Sequence, residues 1–205
     1  MAEILLIGSG NRGKAAELAG LLEGLPWEVR CLADYAPAAA PVPPPVEDGL
    51  TFEENAVKKA AYFSEVFWVA CLADDSGLVV DAIGGAPGIY SARYAGEAAD
   101  DKANNAKLLA ELDGVAEGER TARFVCYAAF VRPGEPPHVE NGVAEGRIGF
   151  KPRGTGGFGY DPLFIPEGYT RTFGEMAPAE KKLISHRGRA LQKMRAYLAK
   201  LAVRE

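Results

Sequence analysis

The chain has 205 residues, of which 48% are apolar and 25% charged, with a formal net charge of −5; this is the balance of a globular protein and excludes a disordered or collagen-like one. The acidic excess argues against broad binding to nucleic acid or to an anionic membrane surface, which needs a basic face, and no apolar stretch reaches the roughly 20 residues of a membrane helix. A phosphorylated small molecule stays admissible, because carboxylates hold phosphate through a hard divalent cation with a few placed Lys and Arg assisting.

In chain order, Ile4–Ile7 is a short apolar strand that runs into a glycine-rich turn. Leu18, Leu21, Leu22 and Leu25 then share one helical face, and a second strand is expected over Trp27–Leu32. Residues 35–45 are rich in Ala and Pro and fit neither helix nor central strand; they read as a surface loop that delivers Glu47. Thr51 and Glu54 have capping-box spacing before Ala56, Ala60, Phe63 and Phe67 at helical intervals. Val69–Ala73 reads as a buried strand ending on Asp74 and Asp75, with Ser76-Gly77 as a turn into a second apolar run, Leu78–Val80. A helix is expected over Asp100–Leu112, and a central strand, apolar on both faces, over Ala122–Val131. Residues 132–136 turn this strand back into Val139–Phe150 as an antiparallel hairpin. The last helix, Gly188–Leu201, carries Leu191, Met194, Leu198 and Leu201 on one face. The pattern is α/β with a mixed sheet, since the late hairpin breaks doubly-wound alternation. The start, MAEILLIG, has no basic n-region, so no secretory leader is expected. Cys31, Cys71 and Cys126 are odd in number and lack metal spacing; they read as core residues of a reducing compartment, and a cytoplasmic location is expected.

Gly8-Ser9-Gly10-Asn11-Arg12-Gly13-Lys14 fits two unrelated fingerprints. As G-x-G-x-x-G it is a dinucleotide turn with Asp34 about 20 residues on, and this reading stalls at the proline-rich loop, where another βαβ unit should stand. As G-x-x-x-x-G-K it is nearly a P-loop, and this reading stalls on Ala15, where magnesium needs a Ser or Thr hydroxyl. Both leave the same physics: backbone N–H groups of a turn and a helix N-terminus presented to an anion.

Three acids are candidates for a hard metal. Asp74 and Asp75 adjoin a buried strand, where desolvated carboxylates require a cation or hydrogen bonds, and Glu47 is the third. Glu54 reads as helix-start chemistry and Asp81 as a strand-end acid. Ser76 sits where a hydroxyl could touch phosphate, although Asp-Ser-Gly is also an ordinary turn. Gly154–Asp161 packs four glycines around Phe158 and Tyr160, a backbone that allows close approach and an aromatic face that can stack a purine. Lys181, His186 and Arg187 gather donors near the last helix, whereas His138, in a Pro-rich turn, reads as idle. Hypoxanthine and xanthine present a 6-oxo acceptor that such donors would satisfy; adenine presents an amino donor there and would leave them unpaired.

Five blocks in register, SGNRGK, EDGLTFEENAVKKA, ADDSGLVVDAIGGAPGIYSARYAG, GTGGFGYDPLF and EKKLISHRGRAL, closely resemble the inosine/xanthosine triphosphate pyrophosphatase family over Ile4 to about Leu201. The resemblance implies a Maf/ITPase-like α/β fold: an elongated mixed sheet with flanking helices forming two lobes around a cleft, residues 1–205 being one domain. It implies Mg2+-dependent hydrolysis of ITP, dITP and XTP to the monophosphate and pyrophosphate, by a homodimer. It implies Glu47 and Asp75 as metal ligands, Asp75 also as proton acceptor for the attacking water, and Asp74 as backup base. The triphosphate is expected on Ser9, Gly10, Asn11, Arg12, Gly13, Lys14, Lys59 and Ser76; the nucleoside on Phe158, Gly159, Tyr160, Asp161, Lys181, His186 and Arg187. Ser9 replaces the Thr of many members and keeps the hydroxyl. Two other readings stay open: a dinucleotide-binding oxidoreductase, which would bind NAD without metal, and a non-catalytic purine-nucleotide-binding module, which would bind triphosphate without turnover.

Overall fold

A computed structural model of the chain describes residues 3–10, 12–32, 42–97 and 100–201. The elements are β1 (Glu3–Ile7), α1 (Arg12–Leu22), β2 (Trp27–Cys31), α2 (Phe52–Phe67), β3 (Ala70–Val80), α3 (Asp101–Glu111), β4 (Thr121–Val131), β5 (His138–Ile148), β6 (Phe164–Pro166), α4 (Pro178–Ile184) and α5 (His186–Leu201), with short 3-10 turns between some of them. The strands form one sheet in the order β2-β1-β3-β4-β5-β6. β1 runs parallel to β2 and to β3, in a register that sets Leu5 against Ala70 and Ile7 against Leu72. β5 and β6 are antiparallel. The sheet is therefore mixed, as expected. β4 and β5 are neighbours joined only by residues 132–137, a connection too short for a parallel crossover.

The chain divides into two compact units. The first comprises residues 1–75, 126–141 and 190–205, the second 76–125 and 142–189, and the chain passes between them inside β3, β4, β5 and α5.

In the first unit, α1 and α5 pack Leu18, Leu22, Leu191, Met194 and Leu198 onto Leu5, Ile7, Leu72, Cys126 and Ala128. The spacing of the α5 residues makes the single apolar stripe seen in the sequence. On the other side α2 brings Ala56 and Ala60 against Ala73 and Ala129, while Phe63 meets Leu6 and Cys71. α2 starts where Thr51 Oγ accepts from the Glu54 N–H (3.1 Å). The Glu54 carboxylate reaches the N–H of Leu50, so the capping box closes one residue upstream of its usual partner. In the second unit, Leu78, Val80, Leu108, Leu112, Phe124, Leu163, Phe164 and Phe173 form the core.

Three expectations need correction. β3 is continuous from Ala70 to Val80, so Asp74 and Asp75 lie in mid-strand and Ser76-Gly77 is no turn. Ladder partners and buried neighbours on both sides outweigh the turn propensity of Asp-Ser-Gly. The last helix starts at His186, directly after a separate short helix, α4, that opens on Pro178; Ser185 between them is extended (φ −71, ψ 154). His138 opens β5 rather than sitting in a turn, where its ring stacks on Tyr197 and Nε2 lies 3.1 Å from Glu140 Oε1.

Candidate active site

In the first unit, Gly8 ends β1 and donates its N–H to Leu72 O (2.9 Å). A Cβ there would stand 2.9 Å from Cys71 Sγ and 3.1 Å from Phe63, so glycine is what lets the turn lie this close to β3. Ser9 and Gly10 follow, and α1 opens with Arg12, Gly13 and Lys14. Asn11 and the Arg12 side chain lie outside the described residues. Lys14 sets its ammonium 3.8 Å from Asp74 Oδ2.

Side chains alternate along β3, which sends Leu72 and Asp74 to the face covered by α1 and α5, and Ala73 and Asp75 to the face covered by α2. Adjacent acids thus serve opposite faces of one strand. Asp74 lies over Cys126, whose thiol is 3.9 Å from Oδ2. On the α2 face Lys59, itself buried, places Nζ 2.7 Å from Glu47 Oε1 and donates to the backbone carbonyl of Asp74 (3.1 Å). Glu47 is carried by an irregular segment tied to the start of α2: Gly49 N–H reaches Asn55 Oδ1 at 2.8 Å, and Asp48 pairs with Lys58.

The electrostatics follow from this crowding. Burial pushes the Lys59 pKa down, yet Glu47, Asp74 and Asp75 together outweigh it and leave it raised. Asp75 moves upward: its burial outweighs the pull of Lys59 and Lys14, with Glu47 and Asp74 adding repulsion. Three carboxylates thus face two ammoniums, and they are hard oxygen donors. Among the described residues no three His, Cys, Asp or Glu converge into a closed metal cage. An oxygen set of this kind suits Mg2+, which takes one or two protein carboxylates and fills its other positions with water and phosphate oxygens.

The second unit holds the glycine-rich loop. Asp161 is buried; its Oδ2 accepts from the Phe158 N–H (2.9 Å) and from Lys181 Nζ (2.6 Å). Gly157 has φ +72, and a Cβ on it would fall 1.9 Å from that same oxygen. Two cations flank the Phe158 ring: Lys181 Nζ lies 4.9 Å from its centroid and the Arg187 guanidinium 5.4 Å. Arg187 also donates to Ser76 Oγ (2.7 Å). His186 is buried and stacks on Phe124, centroids 4.6 Å apart. Tyr160 donates its hydroxyl proton to Ser91 O (2.8 Å). Gly159 is held on both sides, its N–H by Asp101 Oδ2 (2.7 Å) and its carbonyl by Asn105 Nδ2 (2.9 Å).

The structure therefore gathers Lys14, Glu47, Lys59, Asp74 and Asp75 in one cluster, and Ser76, Phe158, Asp161, Lys181 and Arg187 in another. Lys181, expected as a donor to the base, gives one of its three N–H donors to Asp161. Asp81 proves structural, accepting from Thr121 and Arg123. Asp101 and Asn105 escaped the sequence reading. They look like ordinary helix-start polar residues, and their partner Gly159 stands more than fifty residues away in the chain.

A family model described as the Ham1 family matches residues 5–197. The chain is 48% identical over 194 residues to a dITP/XTP pyrophosphatase of Geobacter sulfurreducens, covering 95% of this chain and 96% of that protein. It is 52% identical over 188 residues to one of Syntrophobacter fumaroxidans, covering 92% and 78%. Among solved structures, a HAM1 protein from Coxiella burnetii superposes with a TM-score of 0.87 at 39% identity, covering 98% of this chain and all of that one. The Ham1 protein of Staphylococcus aureus gives 0.85 at 35% identity, covering 97% of this chain and 100% of that one.

Proposed function

The chain belongs to the Ham1 family, and from that premise we propose that it is a nucleoside triphosphate pyrophosphatase cleaving dITP, XTP and ITP to the monophosphate and pyrophosphate. The observation that carries this reading is the cluster of Glu47, Asp74 and Asp75 around Lys59 and Lys14, an acidic, partly neutralised oxygen set beside an N–H-rich turn. Mg2+ held by Glu47 and Asp75 would supply charge neutralisation on the phosphate oxygens. Lys14, Lys59 and the backbone of Ser9–Gly13 bind the triphosphate tail. Asp75, its pKa raised by burial, takes the proton of the attacking water, with Asp74 as the second base. Water adds to the α-phosphorus, the bond to the bridging oxygen breaks, and pyrophosphate leaves.

Phe158 stacks the base, its ring held in place by two nearby cations, Lys181 and Arg187. Arg187, His186 and Lys181 read the 6-oxo edge, Lys181 also holding Asp161; Tyr160 and Gly159 complete the nucleoside contacts, and Ser76 lends its hydroxyl to the phosphates. In this reading residues 1–205 act as one catalytic domain, working as a cytoplasmic homodimer. Product analysis with Mg2+ and a panel of ITP, XTP, dITP, GTP and ATP tests it. Inosine monophosphate with pyrophosphate, and ATP left nearly intact, is the expected result. Inosine diphosphate with phosphate would overturn the bond assignment, and tight binding without turnover would make the chain a binding module.

A further inference from the structure

The peptide of Gly159 is gripped from one helix on both of its polar sides. Asp101, the first residue of α3, accepts the Gly159 N–H through Oδ2 at 2.7 Å. Asn105, one turn later and buried, donates Nδ2 to the Gly159 carbonyl at 2.9 Å and to the Asp101 carbonyl at 2.7 Å. Residues four apart share a helix face, which is why one helix end reaches both edges of one peptide. The orientation of the Asn105 amide is fixed by chemistry: both partners are carbonyl oxygens, which only the NH2 end can satisfy.

Gly159 has φ +62 and lies between Phe158 and Tyr160. On its other flank the Phe158 N–H is pinned by Asp161, which Lys181 holds in turn. Tyr160 is tied down through its hydroxyl to Ser91. The Phe158 backbone therefore has an anchor on each side, and the one toward Tyr160 comes from α3. Glycine backbone between two aromatics costs more conformational entropy to order than any other, so presentation of the ring depends on such anchors.

We infer that Asp101 and Asn105 are positioning residues for base recognition: α3 clamps Gly159 and thereby fixes the Phe158 ring in its stacking pose before the nucleotide arrives. The inference rests on the proposed purine site and adds two residues of α3 that act through the Gly159 peptide. Their contribution falls on the nucleoside half of the ligand, because the contacts that carry it go to the glycine-rich loop.

The test is steady-state kinetics with ITP, together with competitive inhibition by inosine and, separately, by pyrophosphate, for Asp101→Ala, Asn105→Ala and Asp101→Asn. For both alanine variants KM for ITP and the inhibition constant of inosine should rise about five- to tenfold, the scale of one lost buried hydrogen bond. Both kcat at saturation and inhibition by pyrophosphate should stay within about twofold of the parent. Asp101→Asn keeps an acceptor oxygen and should stay near the parent value, which a loss of general stability would not explain. Unchanged inosine inhibition in both alanine variants, or equal weakening of inosine and pyrophosphate, would overturn the clamp. A parent enzyme with no action on ITP would instead overturn the proposed function, so the two failures are separable. Should an alanine variant misfold, Asn105→Asp, which sets a carboxylate against two carbonyls, must show the same selective loss.

Discussion

Lys59→Met isolates the electrostatics of the acidic cluster, because methionine is close in volume and leaves no cavity to confuse the result. Lys59 is buried, and its ammonium serves Glu47 at 2.7 Å and the Asp74 carbonyl at 3.1 Å. Breaking a buried pair by deleting one partner costs about 3–5 kcal/mol, since the remaining charge stays desolvated. Glu47 has a side chain 32% exposed and can turn to water, whereas that of Asp74 is fully buried, with Lys14 at 3.8 Å still beside it. The lower end of the range, about 3 kcal/mol, is therefore expected, and for a chain of this size it corresponds to a Tm drop of about 6–12 °C. Lys59 carries a raised pKa, so its own contribution is fully present below its ordinary value of 10.5 and is lost only in alkali. Asp75 behaves oppositely to a paired carboxylate. Its folded pKa lies above 3.8, so its cost in stability accrues as pH rises from 3.8 toward that folded value and is constant above it, and loss of Lys59 moves the value further up. The defect should be larger at pH 8 than at pH 4, close to the ordinary carboxylate value of 3.8, and partly repaired by Mg2+. Calorimetric scans of parent and variant at both pH values measure it. A drop below about 2 °C at pH 8, or one equal at both pH values, would refute the account of Lys59 as counter-ion to the buried acids.

Asp75→Asn should abolish hydrolysis and leave a metal-free fold at least as stable as the parent at pH 7.5, with that margin shrinking as pH falls toward the ordinary carboxylate value of 3.8; a lower Tm at pH 7.5 would contradict it. Gly157→Ala meets both a backbone at φ +72 and the Asp161 oxygen 1.9 Å from the new Cβ. It should displace Asp161 and raise KM for ITP by at least tenfold, and a parent-like KM would show that the loop yields without affecting the site. Arg187→Ala removes a cation beside Phe158 and the donor to Ser76. The ratio of kcat/KM for ITP over ATP should fall about tenfold or more, and an unchanged ratio would remove Arg187 from base reading.

Local chemistry made much of the site legible before any coordinates. A glycine turn before a helix, paired acids on an apolar run and a Lys/His/Arg cluster each announce a constraint within a few residues. Long periodic elements were equally plain, and the stripe Leu191, Met194, Leu198 of α5 is one. What stayed hidden needed partners remote in the chain. Asp74 and Asp75 resembled a strand end because Asp-Ser-Gly favours turns, and only the neighbouring strands β1 and β4, with α2 packed on one face, make a continuous strand possible. The Lys181–Asp161 pair spans twenty residues with no periodic signal, so nothing local announces it. β6 and α4 are too short to show a period, and α4 is marked only by Pro178.

The way the two units share the chain bears on how such a protein can change over generations. A recombination event that copied one unit from another gene would need breakpoints inside three strands and one helix, each joining half of a foreign ladder to half of a native one. Nearly every such junction would leave hydrogen-bond partners mismatched and buried. The boundary after Asp75 would also separate the last acid of one cluster from Ser76, the partner of Arg187 in the other. New specificity in this architecture is therefore expected to accumulate by point substitution around the glycine-rich loop and α3, and insertions to settle in connections such as residues 132–137, where no strand is interrupted.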